Sequence, residues 1–163
     1  MLKKSFIKIL FNFFIVVTIF GLDRISKLYV LNLAETGQFV DIYINQFLNF
    51  HLIWNTGVGF GLFSSNTNFY YNLITLLIIL INVIILIMIF KSVDYKFFLL
   101  LIILGGSLGN LFDRIYYKAV PDFVDLHYND FHWFIFNVAD IFITVGVICL
   151  IFAELFLNKE KTN

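Results

Sequence analysis

The sequence predicts a mainly α-helical membrane protein with four transmembrane helices and a small extracytoplasmic β-sheet between the first two, all in a single domain covering residues 1–163. Three observations support this fold class: an apolar composition, four long apolar stretches, and one segment in which apolar and polar residues alternate. Of the 163 residues, 61% are hydrophobic and 13% are charged, whereas soluble domains have about 45–50% apolar and about 25% charged residues. So few charges cannot cover a water-facing surface, which excludes a water-soluble domain.

The first apolar stretch can be a membrane anchor or a secretory signal peptide. A transmembrane helix needs about 20 apolar residues to cross about 30 Å of hydrocarbon. Lys3, Lys4 and Lys8 precede or open the first stretch, as in a signal peptide, but no small-x-small cleavage site follows. We therefore expect an uncleaved anchor. The four predicted spans cover residues 6–30, 69–90, 97–115 and 134–157.

Charge and aromatic residues predict the orientation of these spans. Four spans place both termini on one side, together with seven lysines in short segments, whereas the other side has four basic residues. The positive-inside rule then places both termini in the cytoplasm. Both Trp and all Tyr except Tyr95 fall at or beside the outer segments, as expected for rings at the membrane interface.

The segment 32–68, between the first two spans, is too polar to cross a membrane and predicts strands. Every second residue is apolar in one part of it, at Leu48, Phe50, Leu52 and Trp54, and three of the four residues that follow these are polar. Alternation with a period of two is typical of a half-buried strand. A turn is expected at the glycines that follow, which are Gly57, Gly59 and Gly61.

Polar residues crowd the outer ends of the third and fourth spans, and carboxylates there suggest hydrolytic chemistry. An aspartate inside a membrane helix is costly and is a functional candidate by default. Two carboxylates at a water-accessible edge of low dielectric share one proton, so that one activates water and the other donates to a carbonyl oxygen. Asp140 is one candidate, and spacing does not choose between Asp122 and Asp125. Asp113 adjoins Arg114, which favours an ion pair for it.

Two other functions fit parts of this pattern. Gly105-x-Ser107-x-Gly109 satisfies the nucleophile-elbow motif, with His127 or His132 as a base, but that motif needs a strand, a turn and a helix, and here it lies in an apolar stretch. Intramembrane carboxylates also suit a proton channel or small transporter. Such a path needs polar groups through the whole membrane, whereas here they gather at the outer edge.

We expect no metal, organic cofactor or nucleic acid. The lone cysteine, Cys149, excludes a cysteine-rich metal site, and a net charge of zero leaves no basic surface for nucleic acid. His127 and His132 are five residues apart and form no zinc site without further convergent ligands. With His51, they are expected to be solvated or interfacial.

Five blocks of polar and small residues follow one another along the chain: Asp23-x-x-x-Lys27, Asn55-Thr56-Gly57, Gly105-Gly106-x-x-Gly109-Asn110-x-x-Asp113-Arg114, Asp122-Phe123 and Phe136-Asn137-x-Ala139-Asp140. They occur in the order seen in lipoprotein signal peptidases, the signal peptidase II family, which the chain resembles over essentially its whole length.

The resemblance implies an aspartic peptidase of the bacterial cytoplasmic membrane, with its active site near the extracytoplasmic face. Its substrates would be diacylglyceryl-modified prolipoproteins, cut just before the lipidated cysteine, and its surroundings membrane lipid, with no obligate protein partner. By this resemblance, Asp122 and Asp140 form the catalytic pair. Site-supporting positions are then Asn55, Gly57, Asn110, Arg114, Asn137, Asp23, Lys27 and Asp113.

Two of these roles stay open at the level of sequence. Asp23 and Lys27 are four residues apart, so they can pair on one helix face and end the first span, or hold the site. Asn137 precedes Asp140 by three residues and can either orient its carboxylate or cap the helix.

Overall fold

The computed structural model describes residues 2–36, 40–57, 68–92, 94–129 and 131–157, arranged as four helices and one antiparallel sheet. The turn predicted at Gly59 and Gly61 lies outside the described residues. In chain order the elements are α1 (Leu2–Glu35), β1 (Asp41–Asn45), β2 (Leu48–Asn55), α2 (Asn68–Lys91), α3 (Asp94–Tyr117), β3 (Val120–Tyr128), β4 (Phe131–Phe136) and α4 (Val138–Leu157).

Three described helices are long and apolar enough to cross a membrane: α2, α3 and, in α4, Val138–Phe156. Their outward side chains are large and apolar, as for Phe90, which is 85% exposed. Such a surface suits lipid, since soluble proteins rarely expose large contiguous apolar patches. α1 is longer than any of the three and carries Asp23, Arg24 and Lys27 in its second half.

α3 is the central helix and packs against α1, α2 and α4. Small residues allow this close approach. A Cβ atom added at Gly106 would lie 2.7 Å from the Ala139 carbonyl oxygen of α4, and one added at Gly109 would lie 2.5 Å from Asp23 Oδ2 of α1. Gly106 and Gly109 therefore allow α3 to lie close to α4 and α1, and larger residues at these positions would separate the helices.

The sheet has the order β1-β2-β3-β4, and every neighbouring pair is antiparallel. The β2–β3 pairing joins the segment before α2 to the segment after α3, with Asn55 opposite Val120 and Ile53 opposite Asp122. Lys118, with a left-handed φ of 62°, turns the chain from α3 into β3. The sheet thus lies at the end of the bundle where α3 ends and α4 begins.

The sheet is larger than the sequence prediction, which placed it only between the first two spans. β3 and β4 were missed, and the predicted start of the fourth span at residue 134 is wrong, because Phe131–Phe136 is a strand and α4 begins at Val138. This strand is nearly all apolar, and periodicity alone cannot separate a short apolar run from part of a helix. α1 continues to Glu35, five residues beyond the predicted end of the first span at residue 30.

Candidate active site

Asp122 lies in β3 with no exposed surface, and two asparagines donate hydrogen bonds to its carboxylate. Asn55 Nδ2 in β2 donates to Oδ2 at 2.9 Å, and Asn137 Nδ2 donates to Oδ1 at 2.5 Å. Asn55 reaches Asp122 because the end of β2 lies beside the start of β3. Burial and the nearby charge of Asp140 raise the pKa of Asp122 from its ordinary value of 3.8 to about 7.

Asp140 lies in the first turn of α4 and is 7% exposed. Its Oδ1 accepts a hydrogen bond from Asn110 Nδ2 of α3 at 2.8 Å, and its Oδ2 accepts one from the backbone N–H of Asn137 at 3.3 Å. The positive end of the α4 macrodipole also favours a carboxylate at this position.

Asn137 connects the two carboxylates. Its side-chain oxygen accepts a hydrogen bond from the Asp140 backbone N–H at 3.1 Å, which caps α4, while its amide nitrogen donates to Asp122. The cap fixes the direction of the amide group, so the nitrogen faces Asp122. The expected cap is present, whereas the side-chain amide faces Asp122 and only the backbone N–H of Asn137 contacts the Asp140 carboxylate.

The other two asparagines are oriented in the same way, each by a donor that occupies its oxygen. Lys27 Nζ donates to Asn110 Oδ1 at 2.7 Å, which leaves the Asn110 nitrogen to donate to Asp140. The Gly57 backbone N–H donates to Asn55 Oδ1 at 2.8 Å, which leaves the Asn55 nitrogen to donate to Asp122. The two carboxylates thus receive donors whose orientation is determined by the fold.

Behind Asn110 lies a buried charge cluster of Asp23, Arg24, Lys27 and Asp113. Lys27 Nζ is 2.9 Å from Asp23 Oδ2 and 2.7 Å from Asp113 Oδ2, and Arg24 Nη2 is 2.6 Å from Asp113 Oδ1. Asp23 Oδ1 also accepts a hydrogen bond from the backbone N–H of Ala139 at 3.0 Å. The cluster therefore ties α1 to α3 and to the start of α4.

The expected pairing of Asp23 with Lys27 is present, but it does not end α1. Asp113 forms its ion pairs with Arg24 and Lys27 rather than with the neighbouring Arg114 predicted from sequence. Consecutive helix residues point about 100° apart and do not face each other.

Arg114 lies on the other side of α3, over the Tyr71 ring at 5.8 Å, with Nη1 3.5 Å from the Thr56 carbonyl oxygen. The Tyr71 hydroxyl donates to the Arg114 carbonyl oxygen at 2.6 Å. Arg114 therefore contacts the end of β2, close to Asn55 and Gly57.

The choice between Asp122 and Asp125, left open by sequence, is decided by strand geometry. Residues three apart in a strand project from opposite faces. Asp122 contacts Asn55 and Asn137, whereas Asp125 contacts His132, with Nδ1 2.8 Å from Oδ2. Asp122 is the carboxylate that lies with Asp140.

The family model described as signal peptidase (SPase) II, Peptidase_A8, matches residues 15–156 of the chain. The chain belongs to the signal peptidase II family. Its relatives include a lipoprotein signal peptidase of Pelagibacter ubique, 55% identical over 152 residues, which are 93% of this chain and 92% of that protein. The lipoprotein signal peptidase of Anaplasma phagocytophilum is 40% identical, over 94% of this chain and 95% of that protein.

Solved structures of bacterial membrane enzymes, determined by the in meso method, share the fold of this signal peptidase II. One has a TM-score of 0.70 at 26% identity, over 93% of this chain and 91% of the other, and a second has a TM-score of 0.67 at 28% identity, over 89% and 92%. The chain is therefore a membrane-associated peptidase, and the resemblance inferred from its motifs is confirmed.

Ser107 of this signal peptidase II does not occupy a nucleophile elbow. It lies inside α3, where its hydroxyl accepts a hydrogen bond from Asn82 Nδ2 at 2.9 Å. His127 and His132 belong to β3 and β4. The Gly105-x-Ser107-x-Gly109 pattern is accounted for by helix packing and one interhelical hydrogen bond.

Sequence reasoning missed two features of the site. Arg24 was not singled out, although its position beside Asp23 inside an apolar stretch is a usable signal, because a charge buried there needs a partner. A groove beside Asp140, of about 290 Å³, was not foreseen either, because its walls come from three elements. Its lining residues are Leu126, Trp133, Phe134, Phe136, Asp140, Ile141, Thr144 and Val145.

Proposed function

We propose that this signal peptidase II removes signal peptides from diacylglyceryl-modified prolipoproteins, cutting just before the lipidated cysteine. The names of the curated relatives support the substrate class. The apolar groove beside Asp140 supports an apolar substrate segment, since it places such a segment next to a carboxylate. The substrate's acyl chains are held in lipid beside this groove.

In the proposed mechanism, Asp122 and Asp140 share one proton and activate a water molecule between them. The observation that carries this proposal is Asn137, which contacts both buried carboxylates at once. The ionised aspartate removes a proton from water as the water attacks the scissile carbonyl, and the protonated aspartate donates to the carbonyl oxygen. The first aspartate then gives its proton to the leaving amine as the C–N bond breaks, and the second aspartate takes a proton back from a hydroxyl of the gem-diol intermediate, so the dyad again holds one proton.

The raised pKa of Asp122, about 7, supports a pair that holds one proton, because a carboxyl with such a pKa is substantially protonated near neutral pH. Asn55 and Asn110 hold the two carboxylates, and Gly57, Arg114 and the charge cluster brace those asparagines. The mechanism requires no metal or organic cofactor, since the carboxylates activate the water.

The proposal includes four spans in one domain of residues 1–163, with α1 as the first span and both termini in the cytoplasm of a bacterium. α1 crosses the membrane with its charges neutralised, because Arg24 and Lys27 pair with Asp23 and Asp113 inside the bundle. The sheet and the dyad then lie at the extracytoplasmic face, in contact with membrane lipid, and no obligate protein partner is required.

The experiment follows cleavage of a diacylglyceryl-modified prolipoprotein by the purified protein, with the unlipidated precursor alongside. Asp122→Asn and Asp140→Asn should abolish cleavage, whereas Ser107→Ala and the matched carboxylate control Asp125→Asn should keep it. Full activity in either dyad variant refutes the dyad. Equal cleavage of the unlipidated precursor refutes the substrate class.

A further inference from the structure

A second cluster of ligating side chains lies on the sheet, apart from the dyad. Asp125 and His127 are two residues apart in β3 and share one face of the strand. His132 of β4 is the cross-strand partner of His127, and their rings stack with centroids 5.3 Å apart. Of the histidines expected to be solvated or interfacial, His127 is not solvated, since it is 6% exposed.

The potential ligand atoms of these side chains lie close together. One ligand atom from each residue lies within 4.8 Å of the other two. The distance to Asp125 Oδ2 is 2.8 Å from His132 Nδ1 and 4.0 Å from His127 Nδ1. In a tetrahedral zinc site with bonds of about 2.0–2.2 Å, ligand atoms lie about 3.3 Å apart. The two distances to Asp125 bracket that value. The histidine rings now stack with their planes 26° apart, so at least one ring must rotate for both nitrogens to face one ion.

The buried nitrogen of His127 is an independent sign of a missing ligand. Its Nδ1 is inaccessible to solvent and has no hydrogen-bond partner, although it points toward Asp125. A buried polar atom without a partner destabilises the folded state, and a metal ion would satisfy it. The sequence argument against zinc required third and fourth converging ligands; Asp125 supplies the third, and the fourth is left to water.

We propose that Asp125, His127 and His132 bind one Zn²⁺ ion. Two neutral imidazoles and one carboxylate form a ligand set that zinc favours, and three protein ligands leave a fourth position for water. His132 is half-exposed, with 54% of its side chain accessible, and it opens the site to solvent. The ion would join β4 to β3.

The test uses the untagged full chain in detergent micelles, stripped of metal with a chelator and then titrated with ZnCl₂ by calorimetry. Wild type should bind one equivalent, and His132→Ala should weaken binding at least tenfold. His132 is the chosen ligand because its exposure makes loss of folding a minor concern. Titration with Co²⁺ should give the visible absorption of a tetrahedral site in wild type only.

The matched control is His51→Ala. His51 Nδ1 also lies 4.0 Å from a carboxylate, that of Asp41, but both side chains are exposed. This variant should bind zinc like wild type, and zinc should raise the melting temperature of both but not of His132→Ala. No saturable binding by wild type, or equal binding by His132→Ala, overturns the proposal. Neither result bears on cleavage, which is measured separately.

Discussion

Replacing Lys27 with methionine tests whether the buried charge cluster supports the site. Methionine keeps the length and most of the volume of the side chain but removes the ammonium group. That group contacts Asp23, Asp113 and Asn110 at 2.9, 2.7 and 2.7 Å, and its side chain has no exposed surface. The variant leaves two buried carboxylates with Arg24 as their one remaining cation in the cluster.

The expected loss of stability follows from this imbalance. Removing one partner from a buried ion pair costs about 3–5 kcal/mol, because the other charge stays buried. Arg24 remains 2.6 Å from Asp113, so we expect the lower end, about 3 kcal/mol. Adding Asp113→Asn restores neutrality and should recover part of this loss.

Activity should fall for a separate reason. Without the ammonium group, the Asn110 amide is free to turn its oxygen toward Asp140, which removes a donor from the dyad. Loss of one positioned donor at an active site costs about 10²–10³ in kcat. The double variant with Asp113→Asn should stay slow, since Asn110 has still lost Lys27.

The assay is thermal unfolding in micelles, followed by tryptophan fluorescence, with cleavage measured below both transitions. Lys96→Met is the matched control, because Lys96 pairs with Glu154 at a more exposed position. It should unfold and cleave like wild type. If Lys27→Met matched Lys96→Met in both measurements, the supporting role of the cluster would be refuted.

Three further predictions concern packing and pH. Gly109→Ala should lose about 1–3 kcal/mol of stability, measured by unfolding in micelles, because its Cβ would meet Asp23, whereas Gly21→Ala, with open space around it, should match wild type. Asn55→Leu removes a donor that lowers the pKa of Asp122, so the alkaline limb of kcat/KM should move up by about one pH unit, and an unmoved limb contradicts the assignment. Because folding raises the pKa of Asp122, the protonated carboxyl favours the folded state at low pH, and this stabilisation is lost as the pH rises from about 4 to about 7. Asp122→Asn should therefore flatten the plot of unfolding free energy against pH over that range.

The apolar helices could be predicted because their signal is local. The stretch 69–90 has no charge, and α2 extends one residue beyond it at each end. β1 and β2 followed from alternation. β3 was missed because Asp122, Phe123 and Asp125 are all buried, so the strand has no alternation of exposed and buried residues over that part. Its pairing with β2 spans more than sixty residues of chain, which no local pattern records.

For the site, residue identities were easier to predict than contacts. Asp122 and Asp140 could be named from the motifs of a family, and their positions beside Asn137 follow from the start of α4. The Asp113 ion pairs came from α1, about ninety residues earlier, so the adjacent Arg114 was the wrong partner. The ion-pair partners of a buried residue are set by the packing of the helices, so they need not be its neighbours in the sequence.

The pairing of β2 with β3 has a consequence for the order in which the chain is made. Asp122, Asp140 and the asparagine that contacts both come from the second half of the chain, whereas the first half contributes Asn55 and, in the charge cluster, Asp23, Arg24 and Lys27. During synthesis these first-half residues therefore precede both carboxylates of the proposed dyad. Since Asp140 lies in the first turn of α4, the proposed dyad is complete only once that helix has been made.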